Sequence, residues 1–256
     1  MQKSKILKLL YRKKRIGQKS FAILIDPDKV EKPESCLRLI EMAAENQVDF
    51  FFVGGSLVTS DSQAGIIDLI QNNCDIPVIL FPGSLMQLNF SADALLFLSL
   101  VSGRNPDLLI GQHVQAAPLL KKSALEILPT AYMLIDPGHP TSVSYMSQTA
   151  PIPKDKPSLA ASTAQAAELL GMKLVYMDAG SGAKENISEE MIHTVSKSLD
   201  IPLIIGGGIN SIEKAEKAFK AGADLIVIGN GIEKNPNLII GVSNIVHYWK
   251  NSPLNV

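Results

Sequence analysis

The sequence predicts a (β/α)8 TIM barrel, formed as a single domain over residues 1–256. The chain of 256 residues has the usual length of one such barrel. Eight short apolar segments alternate along it with segments of helical spacing. The last two apolar segments end in glycine about 20 residues apart, as the phosphate-binding strands 7 and 8 of a barrel do.

Composition indicates an ordinary globular protein. Hydrophobic residues make up 46% and charged residues 19% of the chain, and the net charge of −1 gives no field for binding nucleic acid. Cys36 and Cys74 form neither a disulfide framework nor a metal-type cluster, and no secretory signal opens the sequence. We therefore expect a cytoplasmic location. The longest apolar run is far below the roughly 18 residues that a membrane span needs.

Residues 1–16 are predicted to form a basic amphipathic helix. We expect this helix to cap the N-terminal end of the barrel, with its lysines in solvent. The alternative is a peripheral contact with an anionic membrane surface. The pattern consists of Lys3, Lys5, Lys8, Arg12, Lys13, Lys14 and Arg15, interleaved with Ile6, Leu7, Leu9, Leu10 and Ile16.

The predicted strands are mostly continuous apolar runs, as expected for strands buried on both faces. They lie at residues 21–26, 49–53, 77–81, 94–98, 131–135, 174–178, 203–206 and 225–228. Helical spacing covers residues 34–46, 62–72, 107–122, 159–171, 188–199 and 211–221.

Two connections between these elements are unusual. The third, residues 83–93, is short and has room for only a turn or two of helix. The connection after the fifth strand, residues 136–157, is long and rich in Pro, Ser and Thr. Loops of that length are usually lids or binding loops, and one that follows a barrel strand lies on the catalytic face.

Glycines after the last two strands predict a phosphate site. Gly206, Gly207 and Gly208 end the seventh strand, and Gly229 with Asn230 ends the eighth. Backbone N–H groups approach an anion closely only where no Cβ intervenes, and a helix that begins there adds a favourable dipole. The alternative is a pair of tight turns with no ligand.

Polar side chains also follow the first two strands. Asp26 and Asp28 flank Pro27, and paired carboxylates at a barrel rim suit Mg²⁺. The alternative is an Asp-Pro turn in which Asp26 binds the local backbone. Ser56 follows Gly54 and Gly55 after the second strand, and its hydroxyl could reach a metal ion or an anionic oxygen.

The sixth strand ends in a candidate catalytic segment. Asp178 could accept a proton or a hydrogen bond from a substrate hydroxyl. Alternatively, this carboxylate only orders its own loop. The segment comprises Tyr176, Met177, Asp178, Ala179, Gly180, Ser181 and Gly182.

Histidines and cysteines suggest no other chemistry. His113 lies on a predicted helix, where a lone histidine is more often structural, and His139 lies in the long loop. We find no Ser-His-Asp order, thiol–imidazole pair or zinc-type spacing in the sequence, which disfavours covalent and zinc catalysis.

Taken together, five motifs resemble those of the geranylgeranylglyceryl phosphate synthase family. The resemblance covers nearly the whole barrel in order and includes residues 105–106 and 111–113. The sequence Ala-Gly-Ser-Gly resembles the branch found in archaea and some bacteria rather than the bacillus-type heptaprenyl branch. The motifs are Leu24-Ile25-Asp26-Pro27-Asp28-Lys29, Val53-Gly54-Gly55-Ser56, residues 176–182, Gly206-Gly207-Gly208-Ile209 and Gly229-Asn230.

The resemblance implies a prenyltransferase. Its substrates would be a polyprenyl diphosphate, expected to be geranylgeranyl diphosphate, and sn-glycerol 1-phosphate, alkylated on its C3 hydroxyl. Asp26 and Ser56 match the family's Mg²⁺ positions. Residues 176–182, Gly207, Gly208, Gly229 and Asn230 match its glycerol-phosphate positions. Barrels of this type often self-associate, so we also expect a homo-oligomer.

This sequence departs from the family pattern at two positions. Asp178 stands where the family usually has Glu, and Leu24 where some members have Lys. We expect the prenyl tail to lie over segments that follow strands three and four; the alternative is that these residues are ordinary core. The residues available there are Leu85, Met86, Leu88, Phe97, Leu98 and Leu100.

Two other functions share the phosphate site. One is a barrel isomerase acting on a small phosphorylated sugar, which would need neither metal nor apolar groove. The other is a non-catalytic barrel that only binds a phosphate ligand.

Overall fold

The computed structural model describes residues 4–30, 32–59, 62–183 and 185–251. Its eight strands pair in parallel and in sequence order, and β1 pairs with β8 to close the barrel. The predicted (β/α)8 barrel is therefore confirmed. The strands are β1 Ser20–Ile25, β2 Phe50–Val53, β3 Val78–Leu80, β4 Ala94–Leu100, β5 Glu126–Leu134, β6 Leu174–Asp178, β7 Leu203–Gly206 and β8 Leu225–Ile228.

Seven strands fall close to their predicted positions, but the prediction for β5 was wrong at its start. β5 begins at Glu126 rather than at residue 131, because β4 offers a partner for each of the added residues. Pairing along β4 runs from Glu126 opposite Ala94 to Tyr132 opposite Leu100. Because Glu126 is polar and Pro129 interrupts the apolar run, the apolar pattern did not reveal this extension.

Helices fill most connections, and the six helical predictions are confirmed with shifts of a few residues. The fourth of these begins as a π-helix, Asp107–Gly111, before α4. Helices α5, α9 and α10 were missed. The helices are α1 Ile6–Arg15, α2 Pro33–Glu45, α3 Ser62–Asn73, α4 Gln112–Leu120, α5 Ser142–Ser147, α6 Pro157–Leu169, α7 Glu189–Lys197, α8 Ile212–Ala221, α9 Asn230–Lys234 and α10 Leu238–Asn251.

The third connection contains one 3-10 turn, Leu85–Gln87, and no α-helix anywhere between β3 and β4. The third connection therefore supplies no α-helix to the outer layer of the barrel. Buried Gln87 holds the loop in place: its Nε2 donates to the Gly55 carbonyl (3.0 Å), and its Oε1 accepts from the Gly83 N–H (3.1 Å). Within the long loop after β5 lie α5 and a parallel bridge between Ile135 and Ile152.

Helix α1 closes the N-terminal end of the barrel. Ile6 and Leu10 are buried in the inner core, and the carboxylate of Glu126, the first residue of β5, accepts the backbone N–H groups of Lys5, Ile6 and Leu7 at 2.8–2.9 Å. A carboxylate at a helix N-terminus satisfies free N–H groups and complements the helix dipole. Residues 1–3 of the predicted helix, including Lys3, lie outside the described residues.

The lysines of α1 do not all face solvent, so that expectation was wrong. Lys13 is buried and donates to Ser20 Oγ and to the Asp49 carboxylate, and Lys14 lies 3.1 Å from Asp224. Because the apolar face packs on the barrel, it is not free to enter a lipid surface. Among the described residues, no helix combines the length and apolar character needed to cross a membrane.

Candidate functional site

The predicted site residues gather at the C-terminal end of the barrel. Asp26 follows β1, Asp178 ends β6, Gly206 ends β7, and Asn230 follows β8. Parallel barrel strands all finish at the same end, so these residues form one surface opposite α1. The contacts described below join the loops after β1, β6, β7 and β8.

Asp178 is the most constrained of these side chains. It is only 7% exposed; its Oδ2 accepts from the Tyr132 hydroxyl (2.6 Å) and its Oδ1 from the Gly180 N–H (2.7 Å). Burial raises the pKa of this carboxyl, and the two hydrogen bonds act in the opposite direction. The carboxylate orders its own loop and also has a raised pKa, a combination that suits a general base.

The glycines after β7 bring two loops into direct contact. Gly207 (φ +79°) lies so close to β6 that an added Cβ would be 2.7 Å from Asp178 Oδ1 and 2.8 Å from the Gly180 nitrogen. Gly208 (φ +70°) packs equally tightly on the Glu185 carbonyl. Both the positive φ and the contact require glycine at these positions. The predicted phosphate site at the glycine turns after β7 and β8, called the phosphate cradle below, therefore lies against the Asp178 loop.

Three aromatic rings, those of Phe81, Tyr132 and Tyr176, pack together next to Asp178. Tyr176 stacks on Phe81 with centroids 5.1 Å apart, and Tyr132 meets Tyr176 edge-on at 5.5 Å. Burial and the nearby Asp178 carboxylate raise the pKa of both tyrosines well above the usual value, so both phenols are neutral. Tyr132 was missed from sequence, although a tyrosine in a buried strand signals a hydroxyl that needs a partner.

The other residues of the segment 176–182 have different surroundings, because successive side chains of a strand point to opposite faces. The Met177 side chain packs in the core shared with the helices, which leaves only its backbone for a ligand. Ala179 is buried, and its N–H donates to the Gly206 carbonyl (3.2 Å). Ser181 and Gly182 lie beside Asn230, whose Nδ2 donates to Ser181 Oγ at 3.4 Å.

The two carboxylates that follow β1 accept hydrogen bonds from different groups. Asp26 accepts from the Asp28 N–H (3.2 Å) and caps the 3-10 turn Pro27–Lys29, as in the Asp-Pro alternative. Asp28 instead binds the N–H (2.8 Å) and hydroxyl (2.9 Å) of Thr59. Asp26 and Asp28 therefore have different hydrogen-bond partners. An added Cβ on Gly55, next to Ser56, would be 3.4 Å from Asp26 Oδ1, so the β2 loop adjoins Asp26.

A lysine that no prediction singled out also lies in this region. Lys29 Nζ donates to Asn230 Oδ1, and it lies 3.8 Å from Asp26 Oδ2 and 3.5 Å from Glu233 Oε1. Leu24 packs near Gly229, where an added Cβ would be 3.5 Å from the leucine side chain. The loops after β1 and β8 therefore meet through Lys29.

His113 lies away from Asp178, at a small apolar cavity beside the third connection. It is buried, its Nε2 is 3.1 Å from Ser99 Oγ, and its ring meets Phe97 edge-on at 4.4 Å. Burial lowers its pKa, so the ring is neutral. His139 is exposed in the loop after β5.

Four of the six predicted groove residues line this cavity, namely Leu85, Leu88, Phe97 and Leu98. The other two do not: Met86 is 95% exposed, and Leu100 is buried in the inner core. The cavity lies where the third connection provides no helix. Its other lining residues are Pro82, Ser84, Leu95, Leu96, Gln112, His113, Ala116 and Leu120.

Comparison with known proteins agrees with this geometry. The profile of the PcrB family matches residues 13–246. Geranylgeranylglyceryl phosphate synthase of Spirosoma linguale is 54% identical over 236 residues (92% of this chain, 94% of the relative), and that of Pyrococcus horikoshii is 43% identical over 217 residues (84% of each).

A solved structure is also similar. It is the crystal structure of (S)-3-O-geranylgeranylglyceryl phosphate synthase from Thermoplasma acidophilum in complex with its substrate sn-glycerol-1-phosphate. It superposes with a TM-score of 0.87 at 36% identity, covering 96% of this chain and 99% of that one. The resemblance drawn from the five motifs is thus confirmed, and the chain belongs to the PcrB family.

Proposed function

We propose that this protein is a geranylgeranylglyceryl phosphate synthase. The reaction breaks the C1–O bond of geranylgeranyl diphosphate, forms an ether bond to the C3 oxygen of sn-glycerol 1-phosphate and releases diphosphate; the hydroxyl proton passes to a base. One observation carries the proposal: the buried Asp178 carboxylate, with its raised pKa, directly abuts the Gly207 turn of the phosphate cradle. Relatives that bear this name support it.

The cradle would fix the direction of the acceptor hydroxyl. Gly207, Gly208, Gly229 and Asn230 offer backbone N–H groups at the ends of the adjacent strands β7 and β8. A phosphate held there leaves the glycerol hydroxyl directed toward β6. Holding the two reactants in this way lowers the entropic barrier to ether formation.

Asp178 would orient the C3 hydroxyl and accept its proton. The hydrogen bonds from Tyr132 and Gly180 fix the carboxylate in one orientation. This support suits an Asp where the family usually has Glu, because the shorter side chain is held without rotational freedom. Tyr132, neutral as described above, acts as the positioning donor.

Mg²⁺ is part of the proposal, with Asp26 and Ser56 as its protein ligands. Among the described residues, no group of three or more His, Cys, Asp or Glu could hold a metal. One carboxylate and one hydroxyl nevertheless suit Mg²⁺, which keeps several waters and takes phosphate oxygens from its substrate. When bound, the ion would stabilise the negative charge of the departing diphosphate.

The prenyl chain would leave the barrel top beside the third connection. The third connection contributes no α-helix, and Leu85, Leu88 and Phe97 line an apolar cavity between that connection and α4. The cavity is small, so neighbouring side chains must move apart to admit a long chain. The adjacent π-helix, Asp107–Gly111, is a backbone irregularity of the kind often found at functional sites.

A transfer assay tests the function. Labelled sn-glycerol 1-phosphate should enter an organic-extractable product with geranylgeranyl diphosphate and Mg²⁺, and EDTA should stop the transfer. sn-Glycerol 3-phosphate is the stereochemical control and should react poorly. If the protein binds glycerol phosphate but transfers it to no polyprenyl diphosphate, the result would contradict the proposal and favour a phosphate-binding or isomerase function.

A bulky substitution in the cavity should shorten the accepted prenyl chain. Leu88→Trp fills space that the distal isoprene units need, so the preference for farnesyl over geranylgeranyl diphosphate should rise about tenfold, which corresponds to about 1.4 kcal/mol. Relative kcat/KM values for the two diphosphates measure the change. Leu169→Trp, at an exposed position on α6, is the control. Unaltered chain preference in Leu88→Trp and Phe97→Trp would place the chain elsewhere.

A further inference from the structure

Lys29 joins the two strands that close the barrel. It lies on the 3-10 turn after β1 and donates to Asn230 Oδ1 at the start of α9, after β8. The two residues are 201 positions apart in sequence, and the pairing of β1 with β8 brings them together. Asn230 belongs to the proposed phosphate cradle, so Lys29 acts on that site from outside it.

The contact sets the orientation of the Asn230 amide. An ammonium group only donates hydrogen bonds, so it must face the amide oxygen rather than the amide nitrogen. The Nδ2 donor is thereby turned to the opposite side, where it donates to Ser181 Oγ at 3.4 Å. Gly182 lies on the same side, with an added Cβ 3.9 Å from Nδ2. Nδ2 therefore points toward the loop that follows Asp178.

Lys29 also offsets negative charge beside the cradle. Asp26 Oδ2 lies 3.8 Å and Glu233 Oε1 3.5 Å from its Nζ. Without the ammonium group, both carboxylates would repel an incoming phosphate dianion. Leu24, which packs near Gly229, supplies no charge in its place.

We propose that Lys29 is a positioning residue for glycerol phosphate. It turns the Nδ2 donor of Asn230 toward the phosphate and screens that phosphate from Asp26 and Glu233. The inference rests on the proposed function, because the ligand is the glycerol phosphate of that reaction. It assigns Lys29 to the acceptor substrate rather than to the diphosphate.

Calorimetric titration with sn-glycerol 1-phosphate, without Mg²⁺ or prenyl substrate, tests this role directly. Lys29→Met should weaken binding about tenfold, because a charge-assisted contact and its screening are lost. Lys29→Arg should bind within about threefold of the wild type, since the guanidinium also donates to Oδ1. Lys234→Met, which removes an exposed lysine from the same helix α9, is the charge-matched control.

A double-mutant cycle separates positioning from general electrostatics. If Lys29 acts through Asn230, Lys29→Met should weaken binding less in the Asn230→Ala background than in the wild type. The loss that remains in the Asn230→Ala background measures the screening of Asp26 and Glu233. In steady-state assays, Lys29→Met should raise the KM for glycerol 1-phosphate about tenfold, with kcat and the KM for the prenyl diphosphate within about twofold.

Two results would overturn the inference, and they can be told apart. Unchanged binding in folded Lys29→Met, or a shift confined to the KM for the prenyl diphosphate, would overturn the role of Lys29 alone. No binding of sn-glycerol 1-phosphate by the folded wild type would overturn the proposed function together with it.

Discussion

Replacing Asp178 by Asn is expected to lower kcat by about 10²–10⁴-fold, the contribution typical of a positioned general base. The variant should fold, because an amide oxygen can still accept the Gly180 N–H and an amide N–H can donate to the Tyr132 hydroxyl. Transfer of glycerol 1-phosphate under saturating substrates measures the loss. Unchanged turnover would remove Asp178 from the chemistry.

The same substitution should leave stability equal or higher at pH 8. Burial raises the folded-state pKa of Asp178, so its net contribution to stability is present at low pH and is lost as pH rises through that pKa. Asn has no charge to bury, so the penalty disappears in the variant. Thermal unfolding between about pH 4, near the ordinary aspartate pKa, and pH 8 should show the wild type losing more stability than the variant over this interval.

Tyr132→Phe is the matched variant that leaves the carboxylate in place. The Tyr132 hydrogen bond lowers the pKa of Asp178, so its removal should raise that pKa further. Since the ionised carboxylate is the active form, the acidic limb of the profile of kcat against pH should move to higher pH. At high pH, Tyr132→Phe should lose less activity than Asp178→Asn. An unshifted limb would mean that another group controls it.

Gly207→Ala is expected to weaken binding of glycerol 1-phosphate by about 100-fold or more. A side chain at φ +79° is strained, and the added Cβ would lie 2.7 Å from Asp178 Oδ1 and 2.8 Å from backbone nitrogens of the β6 loop. Those atoms must shift, which displaces both the cradle and the proposed base. Removing well-positioned charge-assisted donors accounts for about 3 kcal/mol, equivalent to the stated factor.

Gly171→Ala separates this displacement from backbone strain. Gly171 also has a positive φ (+95°), but an added Cβ there meets nothing within 4 Å. Both variants should lose roughly 1–3 kcal/mol of unfolding free energy from strain. Only Gly207→Ala should lose ligand affinity, measured by calorimetry. Equal affinity in the two variants would show that the β7 turn does not hold the phosphate.

The barrel itself could be predicted from sequence because its signals are local. Continuous apolar runs mark strands buried on both faces, and glycine after β7 and β8 marks turns that other residues resist. The starts of α7 and α8 also depend on local contacts, since the N-caps Ser188 and Ser211 accept backbone N–H groups three residues ahead. These features depend on neighbours a few residues away.

Other elements were hidden because their stabilisation comes from distant partners. β5 extends back to Glu126, where β4 and the N–H groups of α1 supply the hydrogen bonds. Asp28 looks like a partner for Asp26 in sequence, yet Thr59 of the next loop binds it. No local pattern distinguishes these outcomes.

By itself, the sequence determined the barrel, the glycine turns after β7 and β8, the family and the place of Asp178. Only the tertiary structure decided what surrounds that carboxylate. Tyr132 reaches Asp178 across 46 residues, and Lys29 reaches Asn230 across 201, because β5 lies beside β6 and β1 beside β8. Barrel closure brings these side chains together, which matters because hydrogen bonds form only between groups in contact and charges interact most strongly at short distance.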